Sequence, residues 1–248
     1  MKISVIIPAL NEADNIFASL DSVKNQPGEV EIIVVDGGST DGTLEVVRGH
    51  AVALRSERGR AVQMNAGARQ AGGEVFLFLH GDSQLPPDAL LSLRRTLENP
   101  GIVGGTFILK FDSPKVLLRL IAFATRFRFL FFHFGDQGIF ARRSVFEDLG
   151  GYREIPFLED VDFLRRLQRA GRLALIKQPV TSSARRFLTN GILKQFLLNT
   201  FLVISYLVGR KPEALAKWYE RTDHRLQGCR LPVGDHGGER ESPARKSP

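Results

Sequence analysis

The stretch VFLFLHGDSQLPP, residues 75–87, decides how the rest of the chain is interpreted. Its first five residues form an unbroken apolar run rich in aromatic and branched side chains, which is typical of a strand buried on both faces. The run stops at His80, and the two prolines at the end of the stretch prevent the strand from continuing. A histidine and an aspartate therefore lie where a buried strand meets a loop, which is where open α/β sheets bind ligands.

His80 and Asp82 are reasonable ligands for a divalent cation, and such a cation can hold a diphosphate. The same residues also fit a simpler interpretation, in which Asp82 and Ser83 form a turn before a helix that starts near Asp88. The stretch by itself favours neither interpretation.

The composition is that of a globular protein with an excess of positive charge. Of the 248 residues, 43% are hydrophobic and 25% charged, the net charge is +7 and the pI is near 9.8, which favours anionic partners. Because the basic residues are spread along the chain and no zinc-finger or RNP-like motif occurs, we do not expect nucleic acid as a partner. The single Cys229 excludes an internal disulfide framework. With no apolar run long enough for a signal peptide or a simple membrane span, a cytoplasmic protein is expected.

The first hundred residues alternate between strand and helix patterns, which predicts a doubly wound, mostly parallel α/β sheet flanked by helices. Asn11, Asp41 and the pair Gly59-Arg60 are placed to begin the first three helices. Strands are predicted at 3–7, 31–35, 52–54 and 75–79. The first, second and fourth of these end in loops dense in Asp, Asn, Glu or Gly, and in a parallel sheet such ends converge on one crevice.

The second half of the chain is less regular. Strands are predicted at 103–111, 139–141 and 173–176, and Ser144 is expected to cap a short helix. Val161, Leu164 and Leu167 mark one face of a further helix that ends at Gly171. Residues 192–209 and 212–219 are predicted to be helical, and the composition after Gly228 favours disorder.

Five segments, in sequence order, resemble the family 2 glycosyltransferases, which have the GT-A fold. The segments are SVIIPALNEADNI (4–16), VVDGGSTDGT (34–43), GRAVQMNAGARQAGGEVFLFLHGDS (59–83), GDQGIFARRSVFEDLGGY (135–152) and FLEDVDFLRRL (157–167). The resemblance implies a GT-A domain over residues 1–187, with a nucleotide-binding half (1–100) and an acceptor half (101–187). A helical appendage (188–227) and a tail (228–248) would follow.

The resemblance departs from the family at the metal site. The family's Asp-x-Asp is here His80-Gly81-Asp82, so the last aspartate, the more direct metal ligand in the family, is kept and the first is replaced. The resemblance implies that Asp82, with His80, holds Mn²⁺ or Mg²⁺ across the diphosphate of the donor. A neutral imidazole favours Mn²⁺ over Mg²⁺ more than a carboxylate would.

On the donor side, the resemblance implies a nucleoside-diphosphate sugar of the UDP or GDP type. Asp36 could accept a hydrogen bond from a base N–H, and Arg60 at a helix start suits an anion. Arg185 and Arg186 resemble the basic motif that family members place near the diphosphate. Plainer interpretations are a capped turn for Asp36 and a solvated surface side chain for Arg60. The full donor-binding set implied by the resemblance is Pro8, Ala9, Asn11, Glu12, Asp36, Gly38, Arg60 and Gly81.

On the acceptor side, the resemblance makes Asp160 the catalytic base and places Glu159 beside it. Asp160 would take the proton of an acceptor hydroxyl in a single displacement with inversion, a role that typically contributes ~10²–10⁴ in rate. Asp136 and Gln137 would line the sugar or acceptor pocket. The plainer interpretation is that the acidic pair stabilises the start of a helix through its dipole, a role for which Asp162 is the natural candidate. Residues expected to be structural are Asp41, Asn65 and His133.

Two apolar stretches, 117–134 and 192–209, are not explained by the resemblance. Basic residues beside Phe and Leu suit a helix that lies in a membrane interface, which would fit a lipid-linked acceptor as an alternative to a small molecule. The other interpretation is ordinary core or subunit packing. We favour packing for 117–134, and for 192–209 either peripheral membrane contact, at the inner face of the plasma membrane, or a homodimer.

Two other functions are compatible with parts of the sequence. A nucleotidyltransferase would carry a glycine-rich phosphate loop after the first strand, where this chain has the acidic PALNEAD. A catalytically silent sugar-nucleotide-binding protein is supported by the His80 departure and opposed by the intact Glu159-Asp160 pair. The sequence specifies neither the sugar nor the acceptor.

Overall fold

The structure, a computed structural model, describes residues 1–126 and 135–222. The predicted alternation of the first hundred residues is present. Its elements are β1 (Ile3–Ala9), α1 (Ala13–Lys24), β2 (Val30–Asp36), α2 (Thr43–Val47), β3 (Val52–Arg55), α3 (Arg60–Gln70), β4 (Val75–Phe78), β5 (Ser83–Gln84) and α4 (Ala89–Leu97).

The second half continues with three more strands and six helices in the described ranges. They are β6 (Ile102–Phe111), α5 (Val116–Ala124), β7 (Ile139–Arg142), α6 (Arg143–Asp148), α7 (Glu159–Ala170), β8 (Arg172–Ser182), α8 (Arg185–Asn190), α9 (Ile192–Leu207) and α10 (Pro212–Thr222). A short 3-10 helix, Gly135–Gln137, precedes β7. The predictions for His133 and for the tail after Gly228 lie outside the described residues.

The strands of the described residues form one eight-stranded sheet, in the order β3-β2-β1-β4-β7-β6-β8-β5. The first four strands of that order are parallel, as predicted. β7 then enters antiparallel to both β4 and β6, and β8 runs parallel to β6. The sheet therefore has a seam at the β4–β7 pair, where the parallel half meets the mixed half.

Helices cover both faces of this sheet, as the doubly wound prediction requires. On β1, Ile3, Val5 and Ile7 pack into one core with the apolar faces of α1, α2 and α4, while Ile6 packs into a second core with α3, α6 and α7. This alternation follows from the two-residue period of a strand. A third, smaller cluster joins α5 to β6, α8 and the start of α9.

Four local predictions differ from the structure. Pro8 lies inside β1, opposite Val35; it is tolerated because β1 pairs with β4 only as far as Ile6, so its missing N–H is not needed. Asn11 is not the cap of α1: it has a φ of 55°, and Glu12 occupies the cap position. Ser144 lies one residue inside α6, which Arg142 precedes. The last difference is β8, which continues well past Ile176 through a register shift against β6.

Candidate active site

The loops after β1 and β2 are tied together at the carboxyl edge of the sheet. The Asn11 N–H donates to Ser39 Oγ at 2.9 Å, and the Asn11 side-chain oxygen accepts from the Thr40 N–H at 2.9 Å. The left-handed backbone of Asn11, which asparagine tolerates better than most residues, directs the side chain into this pairing. The two loops predicted to bind the donor are therefore held together by hydrogen bonds.

Two aspartates organise the second loop. The Asp36 carboxylate is buried and accepts hydrogen bonds from the N–H groups of Gly38 and Ser39. Asp41 accepts from the N–H of Thr43 and from the N–H of Ala13, so it binds the first residue of both α2 and α1. Gly42, and not Asp41, is the formal cap of α2, but the structural role expected for Asp41 is present.

Gln63 is a supporting residue that the sequence interpretation missed. Its Nε2 donates to the carbonyl oxygens of Ala9 and Val35, both at 2.8 Å, and the residue is only 3% exposed. It thereby fixes the carboxyl ends of β1 and β2 against α3. The signal available in the sequence was a polar residue on the buried face of a helix, one turn after Arg60.

A compact charged cluster lies next to these loops, at the seam of the sheet. His80 follows β4, Asp136 precedes β7, and Glu159 and Asp160 begin α7. His80 Nδ1 is 2.9 Å from Asp136 Oδ1, and His80 Nε2 is 4.0 Å from Asp160 Oδ2. Arg60 Nη1 lies 3.7 Å from Glu159 Oε1. Sequence-predicted site residues from four separate segments therefore meet in one place.

Burial raises the pKa of Asp160 to about 7, and the adjacent Glu159 carboxylate adds to this effect against the charges of His80 and Arg60. A carboxyl group with such a pKa can accept a proton near neutral pH, which is what a general base must do. Asp160 Oδ1 is buried and has no hydrogen-bond partner among the described residues.

The His80–Asp136 pair is ionic in character. Burial alone would raise the pKa of Asp136, but the hydrogen bond from His80 and the positive charges of His80, Arg60 and Arg186 lower it well below its usual range. For His80, burial would lower the pKa, but the hydrogen bond to Asp136 and the charges of Asp136 and Asp160 raise it against the opposing charge of Arg60. Nδ1 of His80 therefore donates to an ionised carboxylate.

The backbone around the acidic pair is held by unusual local structure. Leu158, which precedes α7, has a φ of 64°, a conformation that costs energy for a residue with a side chain and that is common at functional sites.

Asn65 binds both the N–H and the C=O of Tyr152, at 2.9 and 2.8 Å, which confirms its predicted structural role. Asp162 accepts hydrogen bonds from Arg166, Arg153 and Tyr206, and these contacts hold the first turn of α7 in place.

Asp82 and the basic pair Arg185-Arg186 lie near this cluster, since the charge of Asp82 acts on Arg60 and that of Arg186 acts on Asp136. Ser83, the next residue, pairs with Ser182 at the end of β8, which brings the start of α8 close to Asp82. Arg185 forms a bidentate ion pair with Glu12, at 3.1 and 3.2 Å. Pro8 and Ala9 are buried in β1, Gly81 packs against Glu12, and Gln137 is fully buried beside the cluster.

Of the two residues predicted to bind a divalent metal, Asp82 fits that role and His80 does not. Within the described residues, no three His, Cys, Asp or Glu side chains form a ready-made metal cage. Asp82 is a partly exposed carboxylate, the type of ligand that Mg²⁺ and Mn²⁺ prefer, and fits a metal that takes its other ligands from a diphosphate. His80 does not fit in this arrangement, because Nδ1 is bonded to Asp136 and Nε2 is buried and faces Asp160.

Comparison with known proteins places the chain among glycosyltransferases. The sequence model of glycosyl transferase family 2 matches residues 4–150. The PGL/p-HBAD biosynthesis glycosyltransferase of Mycobacterium bovis is 30% identical over 248 residues, covering 86% of this chain and 92% of that protein. Glycosyltransferase AglE of Haloferax volcanii is 37% identical over 91 residues, 32% of this chain and 30% of AglE.

Solved structures show the same fold. TarS of S. aureus superposes with a TM-score of 0.62 at 19% identity, covering 89% of this chain and 43% of TarS. The mannosyltransferase PcManGT from Pyrobaculum calidifontis, in complex with GDP-Man and Mn²⁺, also has a TM-score of 0.62, at 23% identity, covering 85% of this chain and 65% of that one. The chain thus spans less than two thirds of these two proteins, and it shares their GT-A fold. Because the family sequence model covers more than half of the chain and a relative of similar length is 30% identical, the chain belongs to glycosyl transferase family 2.

Proposed function

We propose that this protein is an inverting, metal-dependent hexosyltransferase that moves a sugar from a nucleoside-diphosphate donor to an acceptor hydroxyl. The observation that carries the proposal is the placement of Asp160. It is a buried carboxyl group with a raised pKa, at the start of α7 and next to His80, which follows β4, and Arg60, which begins α3.

In this reaction Asp160 accepts the proton of the acceptor hydroxyl as the acceptor oxygen forms its bond to the anomeric carbon. The bond between that carbon and the diphosphate breaks on the opposite face, so the configuration inverts in one step. The Glu159 carboxylate, which lies beside Arg60, raises the pKa of Asp160 further and so favours proton uptake by Asp160. Because Asp160 is 7% exposed, water has little access to the base.

The donor is of the UDP or GDP type. Asp36 and Gly38 form the turn that would bind the nucleobase of the donor. Arg60, Arg185 and Arg186 supply positive charge for its diphosphate. Mn²⁺ or Mg²⁺, held through Asp82, would neutralise the charge that develops on the leaving diphosphate. Solved relatives of the same fold support this donor class, since one carries UDP-GlcNAc and another GDP-Man with Mn²⁺.

The acceptor is lipid-linked, and α9 brings the protein to the membrane surface. An apolar stripe runs along α9, with exposed fractions between 42% and 73%: Leu193, Leu197, Phe201, Ile204 and Val208. Lys194, Arg210 and Lys211 are exposed beside it, which suits anionic headgroups better than a second copy of this basic chain. Within residues 1–126 and 135–222, none of the helices combines the length and the apolar character needed to cross a bilayer.

The test is thermal unfolding with a panel of nucleoside diphosphates, with and without Mn²⁺. A ligand at ~100 times its Kd should stabilise the protein by about 2.7 kcal/mol, which is a clear shift in Tm. A shift that needs both one diphosphate and the metal supports the proposal and narrows the sugar to conjugates of that nucleotide. Absence of any shift contradicts it. Binding without turnover, whatever the acceptor, would instead favour a silent nucleotide-sugar-binding protein.

A further inference from the structure

His80 replaces the first carboxylate of the family's metal motif, and its contacts assign it a different task. The side chain is 10% exposed and lies between two carboxylates from different elements. Nδ1 donates to Asp136 Oδ1 at 2.9 Å, a short charge-assisted hydrogen bond that fixes the orientation of the ring. With the ring fixed in this way, the position of Nε2 relative to its carboxylate neighbour is fixed as well.

That neighbour is the proposed base. His80 Nε2 is 4.0 Å from Asp160 Oδ2, and Nε2 has no hydrogen-bond partner among the described residues. Asp160 Oδ1 is unpartnered as well. Buried polar atoms without partners are rare in folded proteins, and these two lie on adjacent side chains. An approach of about 1 Å would bring Nε2 and Oδ2 within hydrogen-bond distance.

Resting on the proposed glycosyltransferase function, we propose that Asp136 and His80 act in series as positioning residues for Asp160. Asp136 accepts from Nδ1–H of His80, and the ring, when it carries a proton on both nitrogens, donates from Nε2–H to the Asp160 carboxylate and holds it in the orientation that proton transfer requires. His80 is then not a metal ligand, so that of His80 and Asp82 only Asp82 would bind the divalent ion.

The charges around the ring support this assignment. Asp82, Asp136, Glu159 and Asp160 already place four carboxylates around the Arg60 guanidinium. A carboxylate at position 80 would add a fifth to this group in a buried place, which is costly. Histidine at this position adds no further carboxylate to the group, whereas a metal-binding role predicts that aspartate would serve as well or better.

The first test separates base positioning from metal binding with four variants. Gln places an amide nitrogen near the Nε2 position and Asn places one near Nδ1, so His80→Gln retains the contact to Asp160 and His80→Asn loses it. At saturating donor, His80→Asn and Asp136→Asn should lower kcat at least tenfold, His80→Gln less, and KM for the donor should stay within about threefold. His80→Asp should be as impaired as His80→Asn.

Metal-dependent stabilisation by UDP or GDP should survive in His80→Asn and disappear in Asp82→Asn. In an Asp160→Asn background, adding His80→Asn should cause no further loss of kcat, because the two residues act as a unit. Full activity of His80→Asp, or loss of metal dependence in His80→Asn, would overturn the proposal. His50→Asn is the matched control, since His50 contacts Lys24 on another part of the surface and should behave as wild type.

The second test needs neither donor nor acceptor, so it stands even if the proposed function fails. In protein labelled with ¹⁵N-histidine, the His80 imidazole signals are identified by their loss in His80→Asn. Asp136→Asn should shift the Nδ1 signal and Asp160→Asn the Nε2 signal, while His50→Asn shifts neither. An Nε2 signal that is indifferent to Asp160→Asn but moves on addition of Mg²⁺ with UDP or GDP would identify a metal ligand and reject the positioning role.

Discussion

At the scale of single residues, the function depends on whether Asp160 is the base. Asp160→Asn removes the proton acceptor but keeps the size of the side chain. We expect kcat to fall by ~10²–10⁴, with the affinity for nucleoside diphosphate nearly unchanged. Asp148→Asn, an exposed aspartate on the neighbouring helix α6, should leave both quantities at wild-type values. Equal losses of turnover and nucleotide affinity in Asp160→Asn would remove Asp160 from the role of base.

The raised pKa of Asp160 gives a second prediction at this scale. The base works only when ionised, so kcat should rise about tenfold per pH unit below about 7 and level off above it. Stability should run the other way: since the folded pKa lies above the unfolded value, ionisation favours unfolding as pH rises through this window. Asp160→Asn should therefore flatten the rise in rate and melt at a higher temperature than wild type at pH 8. A wild-type rate that is constant between pH 5 and 8 would contradict this assignment.

At the scale of secondary-structure elements, one hydroxyl joins the apolar helix α9 to the helix that bears the acidic pair. Tyr206 Oη donates to Asp162 Oδ1 at 2.8 Å, and with partial burial this contact raises the pKa of Tyr206 to about 12. Tyr206→Phe should lower the free energy of unfolding by about 1 kcal/mol, measured by urea denaturation, because Asp162 keeps its two arginines.

Tyr152 offers a matched control for this substitution. Its hydroxyl is buried without a hydrogen-bond partner among the described residues, so Tyr152→Phe removes an unsatisfied group and should be neutral or slightly stabilising. If the two Phe variants lost the same stability, the contribution of the interhelical hydrogen bond would be refuted.

At the scale of the whole molecule, the proposed membrane contact combines the net charge of +7 with the apolar stripe of α9. We expect binding to vesicles that contain anionic lipid, measured by sedimentation, and weaker binding as salt is raised. The double change Leu197→Glu and Ile204→Glu should reduce binding at least tenfold with little effect on Tm, since both side chains are exposed. Val52→Glu, an exposed apolar residue on the edge strand β3, should bind like wild type. Vesicle binding that survives the double change would exclude α9 as the contact.

Much of the fold follows from the sequence because its signals are local. Apolar runs that end in Asp, Asn and Gly predicted β1, β2 and β4 with their loops, and α4 begins next to Asp88, where a helix was predicted. The helical period of Val161, Leu164 and Leu167 likewise indicated α7, whereas the role of Asp160 as base came only from the family resemblance and stays a proposal.

The partners of the site residues were not predictable from local signals. His80 meets Asp136 only because β7 inserts antiparallel beside β4, a pairing that no local pattern specifies. The ion pair of Glu12 with Arg185 joins residues 173 positions apart. Asn11 has the side chain of a helix cap, but contact with the second loop outweighs that local preference.

The seam between β4 and β7 also sets an order of assembly. A chain emerges from the ribosome amino end first, so β1 to β4 and their loops are available to pair before any of the mixed half exists. His80 can contact Asp136 only after the segment before β7 has been synthesised, and both can contact Asp160 only after α7 has been synthesised. Pairings between such distant segments are the slow steps of folding. The half of the chain that carries the loops proposed to bind the nucleotide is thus synthesised first, and the proposed catalytic cluster is complete only once α7 has been made.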